Sequence, residues 1–222
     1  NGGGAILEAG GAFGLTPRGI GHVIVSHIHR GHAGGAGFLL KEMPNATMYV
    51  HERGYRHLVD PSRLVASAGQ ALAGMASEFG TMTPISEKRL RAVKDGEALD
   101  LGGRVLRFYD SPGHAPHQLT IMDEKNRCVY TGDAAGLYFP GDEILIPIAP
   151  PPSFDLEDNM TTFQRLLALK PRALLFSHYG PHERPREAIE RQIVQYPAWS
   201  DIVRRKLKAR GEDELVEELF TL

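Results

Sequence analysis

The chain has 222 residues, 42% of them hydrophobic and 23% charged, an ordinary balance for one folded domain with a sizeable core. A formal net charge of −2 leaves no electrostatic footprint for nucleic acid, whose binding depends on clustered Lys and Arg. Cys128 is the only cysteine, which excludes an intrachain disulfide. No apolar run approaches the ~18 residues of a membrane span, and the N-terminus lacks a basic stretch followed by an apolar one. The expectation is a single soluble, cytoplasmic domain over 1–222, with neither membrane nor nucleic acid as a partner.

Ala5 to Leu15 carries helix-compatible residues interrupted by Gly10, Gly11 and Gly14, a weak helix at best. The β-branched run Val23-Ile24-Val25 predicts a short buried strand, and Phe38, Leu39 and Leu40 predict a helix to about Met43. A Pro44-Asn45 turn then leads to a strand at Thr47 to Val50. Leu64, Val65, Ala68, Leu72, Met75, Ala76 and Phe79 fall at helical spacing, as ordinary core or as an apolar lid. Two hairpins follow: Ala98–Leu101 with Val105–Tyr109 about Gly102-Gly103, and Gln118–Met122 with Arg127–Thr131, the second placing Cys128 as a buried strand thiol. From Gly136 to Ser153, Leu137, Tyr138, Phe139, Ile144, Leu145, Ile146 and Ile148 run into three prolines. Such a stiffened loop either lines a site with an apolar wall or packs onto the body. Asp155 is placed to cap a helix that stops at Pro171, and Ala173–Phe176 is a further strand. The amphipathic end, with Asp213, Glu214, Glu217 and Glu218 opposite Leu215, Val216 and Leu219, reads as scaffold or dimer contact.

Polar residues with chemical potential collect where these strands end. Val25 is followed by Ser26-His27-Ile28-His29-Arg30-Gly31-His32. Side chains alternate across an extended segment, so His27 and His29 project the same way, and His32 returns to the same point from the helix entrance. Three neutral imidazoles converging on one point are what Zn²⁺ or Fe²⁺ requires. The second hairpin is preceded by Ser111-Pro112-Gly113-His114, where Pro and Gly fix a tight turn that holds His114. His117 reads either as a group that orients a ligand or as a surface residue, with the surface favoured. Asp133 follows Tyr130-Thr131-Gly132, and His178 follows the strand ending in Phe176-Ser177.

The first cluster resembles the His-x-His-x-Asp-His signature of the metallo-β-lactamase superfamily, with Gly31 where the family carries Asp. The Pro-Gly-His turn at His114, the strand-end Asp133 and the strand-end His178 follow in the family's order. Periodicity alone yields only α/β; the resemblance implies an αββα sandwich, shortened at its N-terminus by two or three strands. An exposed sheet edge would then favour a homo-oligomer or strand exchange. The resemblance also implies a first metal on His27, His29 and His114 and a second on His32, Asp133 and His178. One or two zinc ions per chain are implied, with iron or manganese as alternatives.

A metal held by three imidazoles brings the pKa of its water to around 7 and polarises a carbonyl or phosphoryl oxygen. Hydrolysis of a small ester, either a phosphoester or phosphotriester or a carboxylic ester or lactone, is the expected activity. The substrate would carry an apolar or aromatic group. Asp133 would hold the water, and Arg30 would set its guanidinium on an anionic oxygen where the second cation is weak. Two alternatives stand: a mononuclear-iron dioxygenase using two histidines and a carboxylate, and a degenerate scaffold without turnover.

Overall fold

The computed structural model describes residues 2–71 and 80–210, and their side chains except those of 68–71 and 209–210. Leu72, Met75, Ala76 and Phe79 of the helically spaced apolar stripe lie outside the described residues, as does the acidic stretch from Asp213 to Glu218. No helix among the described residues is long and apolar enough to cross a membrane.

Two sheets face one another. The smaller holds β1 (His22–Ile24), β2 (Thr47–His51) and β3 (Leu90–Val93), all parallel, in the order β1-β2-β3. The helices that make this parallel pairing possible are α2 (Arg30–Ala33), α3 (Ala36–Glu42), α4 (Glu52–Val59) and α5 (Ser62–Ala71), preceded by α1 (Gly3–Ala12). The larger sheet collects β4 (Ala98–Asp100), β5 (Val105–Asp110), β6 (Leu119–Asp123), β7 (Cys128–Gly132), β10 (Ala173–Phe176) and β11 (Pro181–His182) in the order β11-β10-β7-β6-β5-β4. Only its β7–β10 pair is parallel, with α6 (Leu156–Leu169) as the crossover; α7 (Pro185–Arg210) packs beside α6.

Three cores separate the layers. Val25, Ile28, Leu39, Leu40, Met48 and Leu58 fill the space between the small sheet and its helices. Tyr49 and Val93 of the small sheet meet Leu99, Phe108, Leu119 and Ile121 of the large one. Val129 and Leu174 pack on Phe163 and Leu166 of α6 and on Ile189 and Tyr196 of α7. Helix, sheet, sheet and helix are therefore stacked in that order, the αββα sandwich expected from the resemblance.

Four local expectations differ from the structure. The glycine-rich opening is a regular helix, because Leu7 of α1 packs against the first core and tertiary contact outweighs the poor propensity. The stretch after Gly136 contains a hairpin, β8 (Leu137–Phe139) with β9 (Ile144–Ile146), whose Tyr138 and Leu145 join the α6/α7 core. Only Ile148 and the prolines beyond it remain to form an apolar wall. Parallel strand β3, Leu90–Val93, has no counterpart among the strands expected from the sequence. Cys128 is half-buried, its Sγ beside the Asn126 carbonyl, and so is not a core thiol.

Candidate metal centre

Each site residue sits where a strand of the sandwich ends. The β1 ladder is prolonged by Val25 N–H donating to Tyr49 O at 3.1 Å, and Ser26 O accepts from Leu119 N–H at 2.7 Å, pinning the strand end to the large sheet. His27 then points inward, fully buried. His29 precedes α2 and His32 sits on it, so a single turn of chain presents three rings. The His27 ring centroid lies 4.7 Å from that of His29, 4.0 Å from His32 and 4.9 Å from His114.

His114 is delivered by the turn after β5. Gly113 has φ +122 and its carbonyl accepts from Asp155 N–H at 2.8 Å, which seats the turn on the start of α6. His114 Nδ1 lies 3.4 Å from Ile148 O. If Nδ1 carries the proton, Nε2 is left as a lone pair facing the centre, the arrangement a ligating histidine needs. His29 Nδ1 approaches that Nε2 at 3.0 Å. Asp133 follows β7 through Gly132, where φ is +55 and a side chain would collide with Gln118 and Ser26.

Asp133 is the hub. Its Oδ2 lies 3.1 Å from His32 Nε2, 3.5 Å from His114 Nε2 and 3.8 Å from His27 Nε2, and its Oδ1 lies 3.5 Å from His178 Nε2. Burial raises its carboxyl pKa, but the His32 hydrogen bond and the charges of His32, His114 and His178 outweigh this and hold it below the usual range. The imidazole pKa values fall as well, which for a base favours the neutral form. Burial, then the neighbouring rings, keeps His27 well below 6.5, and burial is also the chief cause for His29 and for His114, lowered to about 4. Neutral His27, His29 and His114 beside one ionised carboxylate are a donor set ready for a cation.

Among the described residues, two groups of three have donor atoms within 4.8 Å of one another: His27, His29 and His114, and His27, His32 and Asp133. The first is the set expected for the first metal. In the second, His27 takes the place expected for His178, whose half-exposed ring reaches Asp133 but stands outside both tight groups. Buried His27 Nε2 and Asp133 Oδ1 have no hydrogen-bond partner among the described residues. Orphaned acceptors so deep in a protein are costly unless a ligand satisfies them, and a metal ion fits both.

Position 31 bears no carboxylate, yet an added Cβ there would meet nothing within 4 Å. The buried guanidinium of Arg30 donates from Nη2 to the Gly80 carbonyl. His117 is not a surface residue. Its Nδ1 accepts from Ile28 N–H at 3.4 Å, its ring lies nearly parallel to His27 at 6.2 Å, and burial lowers its pKa to about 3. It braces the loop that carries His27 and His29, and its three-residue distance from His114 is the signal the sequence offers for it.

The centre opens into a cavity of about 670 Å³. The Ile148 and Pro150–Pro152 segment forms one side, while His57, Arg63, Leu64 and Ser67 come from α4 and α5. These α4 and α5 residues carry no motif, and sequence reading does not mark them as part of a site.

A family model described as the Metallo-beta-lactamase superfamily matches residues 2–178. The metallo-beta-lactamase fold-containing protein ST1585 of Sulfurisphaera tokodaii is 29% identical over 163 residues, covering 72% of this chain and 60% of that protein. Its crystal structure superposes with a TM-score of 0.70 at 28% identity, over 78% of this chain and 66% of that one. A metallo-beta-lactamase family protein of Thermus thermophilus, TTHA1429, gives the same TM-score at 21% identity, over 88% of this chain and 66% of the other, a likeness of fold alone. The chain thus spans about three fifths of the length of ST1585.

Proposed function

Because the chain belongs to the metallo-beta-lactamase superfamily, we propose that it is a metal-dependent hydrolase of a small ester-type substrate, a phosphoester or phosphotriester or a carboxylic ester or lactone. The observation that carries this reading is the convergence of two overlapping donor groups at one end of a 670 Å³ cavity. His27, His29 and His114 would hold one ion; His32 and Asp133, helped by His178, would hold another. Zinc suits imidazole and carboxylate donors, as do iron and manganese. When bound, such an ion acidifies water and polarises the oxygen of the bond to be cleaved.

The chain's own residues supply the rest. Asp133 Oδ1, without a hydrogen-bond partner among the described residues, is available to accept a hydrogen bond from the attacking water and fix its direction. Water adds to the carbonyl or phosphoryl centre, the ester bond to the leaving oxygen breaks, and that oxygen leaves with a proton. Arg30, anchored on Gly80 and lining the cavity, places fixed positive charge beside the oxygen that becomes negative. Ile148 and the prolines accept an apolar or aromatic group.

The test is metal content per chain in the purified protein, measured together with hydrolysis of an aryl ester and an aryl phosphotriester before and after chelation. Turnover of either probe that is lost on chelation and restored by zinc, iron or manganese is expected. Metal-free protein that takes up no ion and turns over neither probe would leave the scaffold reading in its place.

A further inference from the structure

The cavity beyond the metal ligands is electrostatically one-sided. Among the described residues, its lining contains two guanidinium groups, Arg30 and Arg63, and a single carboxylate, Asp133. Asp133 is turned into the imidazoles and Arg30 is bound to Gly80, so neither sets the charge a ligand meets at the outer wall. Arg63, in the first turn of α5, is different. Among the described residues no hydrogen bond or ion pair engages it. Asp60 feels its charge, but the Asp60 Oδ1 atom accepts from Ser62 N–H at 3.0 Å. Leu64 beside it is apolar, and the Ile148 and proline segment lines the same cavity.

We propose that Arg63 reads a carboxylate on the substrate, so that the ester cleaved at the metal centre carries, at the far end of an apolar spacer, a singly charged anionic tail. This rests on the hydrolase reading given above and names the substrate class within it. A guanidinium presents a planar fork that matches a carboxylate in both geometry and charge. The spacer lies along Leu64 and the prolines, where it displaces water without needing polar partners. A cleft lined by one sign of charge also raises the local concentration of an anionic substrate. Once metal is bound, the inner end of the cavity gains positive charge as well, which strengthens this bias.

The experiment compares mono(4-nitrophenyl) glutarate with 4-nitrophenyl valerate, which share a leaving group and an acyl length and differ in the terminal carboxylate. Metal-loaded wild type is expected to favour the glutarate in kcat/KM by about three- to tenfold, the range for a partly exposed charge-assisted contact. Added NaCl reduces the preference, Arg63→Gln brings the ratio close to one, and Arg63→Lys keeps part of it. A wild-type ratio at or below one, or a ratio that Arg63→Gln leaves unchanged, overturns the proposal. Absence of turnover with both esters counts against the hydrolase reading alone. Titration of glutarate into metal-loaded wild type and Arg63→Gln then decides the anion site: weaker binding by the variant sustains it, and equal binding overturns it.

Discussion

Replacing Gly113 by Ala puts one methyl group where the structure has no room for it. The added Cβ would lie 2.5 Å from both Cα and Cβ of Asn159 and 2.6 Å from its N, at a residue whose φ is +122. Asn159 is fully buried in the first turns of α6, and α6 also carries Phe163 and Leu166 into the core. The helix cannot retreat without disturbing that packing, so the turn must. Retreat strains the Asp155 N–H contact to Gly113 O and the Thr162 Oγ1 contact to Pro112 O, now 2.8 and 2.7 Å. Backbone strain of ~1–3 kcal/mol and overpacking of a similar size together predict a loss of ~2–6 kcal/mol. His114 follows directly, so its 3.0 Å approach to His29 should loosen and zinc affinity should fall. Urea unfolding of the metal-free protein and competition with a chromophoric chelator measure the two effects. Gly31→Ala is the control: its Cβ meets nothing within 4 Å, and in a helical turn alanine is favoured over glycine by up to ~1 kcal/mol. A Gly113→Ala protein within ~0.5 kcal/mol of wild type, inside the range of ordinary surface substitutions, and with unchanged zinc affinity would refute the close-approach reasoning.

Gly31→Asp fits the same open space and adds a carboxylate beside His32. A unit charge near a dication at an effective dielectric of ~20 is worth several kcal/mol before desolvation, so the second ion should bind at least ~10-fold tighter. Unchanged stoichiometry and affinity in a zinc titration would count against this. Acid should destabilise the metal-free protein in a defined window. Burial holds His114 at about 4 against an ordinary 6.5, so as pH falls the unfolded chain takes up the proton first. The stabilisation is complete above ~6.5 and declines from there to ~4, by roughly 3 kcal/mol for this residue alone. Urea midpoints at pH 7.5, 6 and 5 should fall in that order, and a flat series would show that His114 is not kept neutral by the fold.

Most of the centre is legible in the sequence because its residues are local to strand ends. The alternation that aims His27 and His29 together needs only an extended backbone, and the Pro112-Gly113 turn announces itself by composition. What escapes depends on partners distant in sequence. Strand β3 pairs in parallel with β2 across about forty residues, and nothing local to Leu90 records that. The β8–β9 hairpin joins two strands of only three residues each, too short to show an alternating pattern, so its apolar residues read as loop until α6 and α7 are seen to cover them. His117 reads as a surface residue because only the fold brings the Ile28 N–H to it. The α4 and α5 wall of the cavity is set by layer packing and leaves no motif at all.

The two donor groups share His27, and this bears on how many ions the chain can hold. His27 Nδ1 faces Ser26 Oγ at 3.1 Å, so Nε2 alone looks into the centre, and one ring nitrogen ligates one ion. With His27 in the trio with His29 and His114, the remaining tight donors are His32 and Asp133. Two donors fall short of the three or four protein ligands typical of zinc sites. A second ion therefore needs His178, whose ring is 38% exposed and 3.5 Å from Asp133 Oδ1. A carboxylate at position 31 would have supplied the missing donor without it. His178→Ala is accordingly expected to reduce a two-ion protein to one ion and to leave a one-ion protein as it was, as read by metal content per chain after dialysis. If the variant keeps two ions, Asp133 and His32 hold the second unaided, and the glycine at position 31 costs the centre nothing.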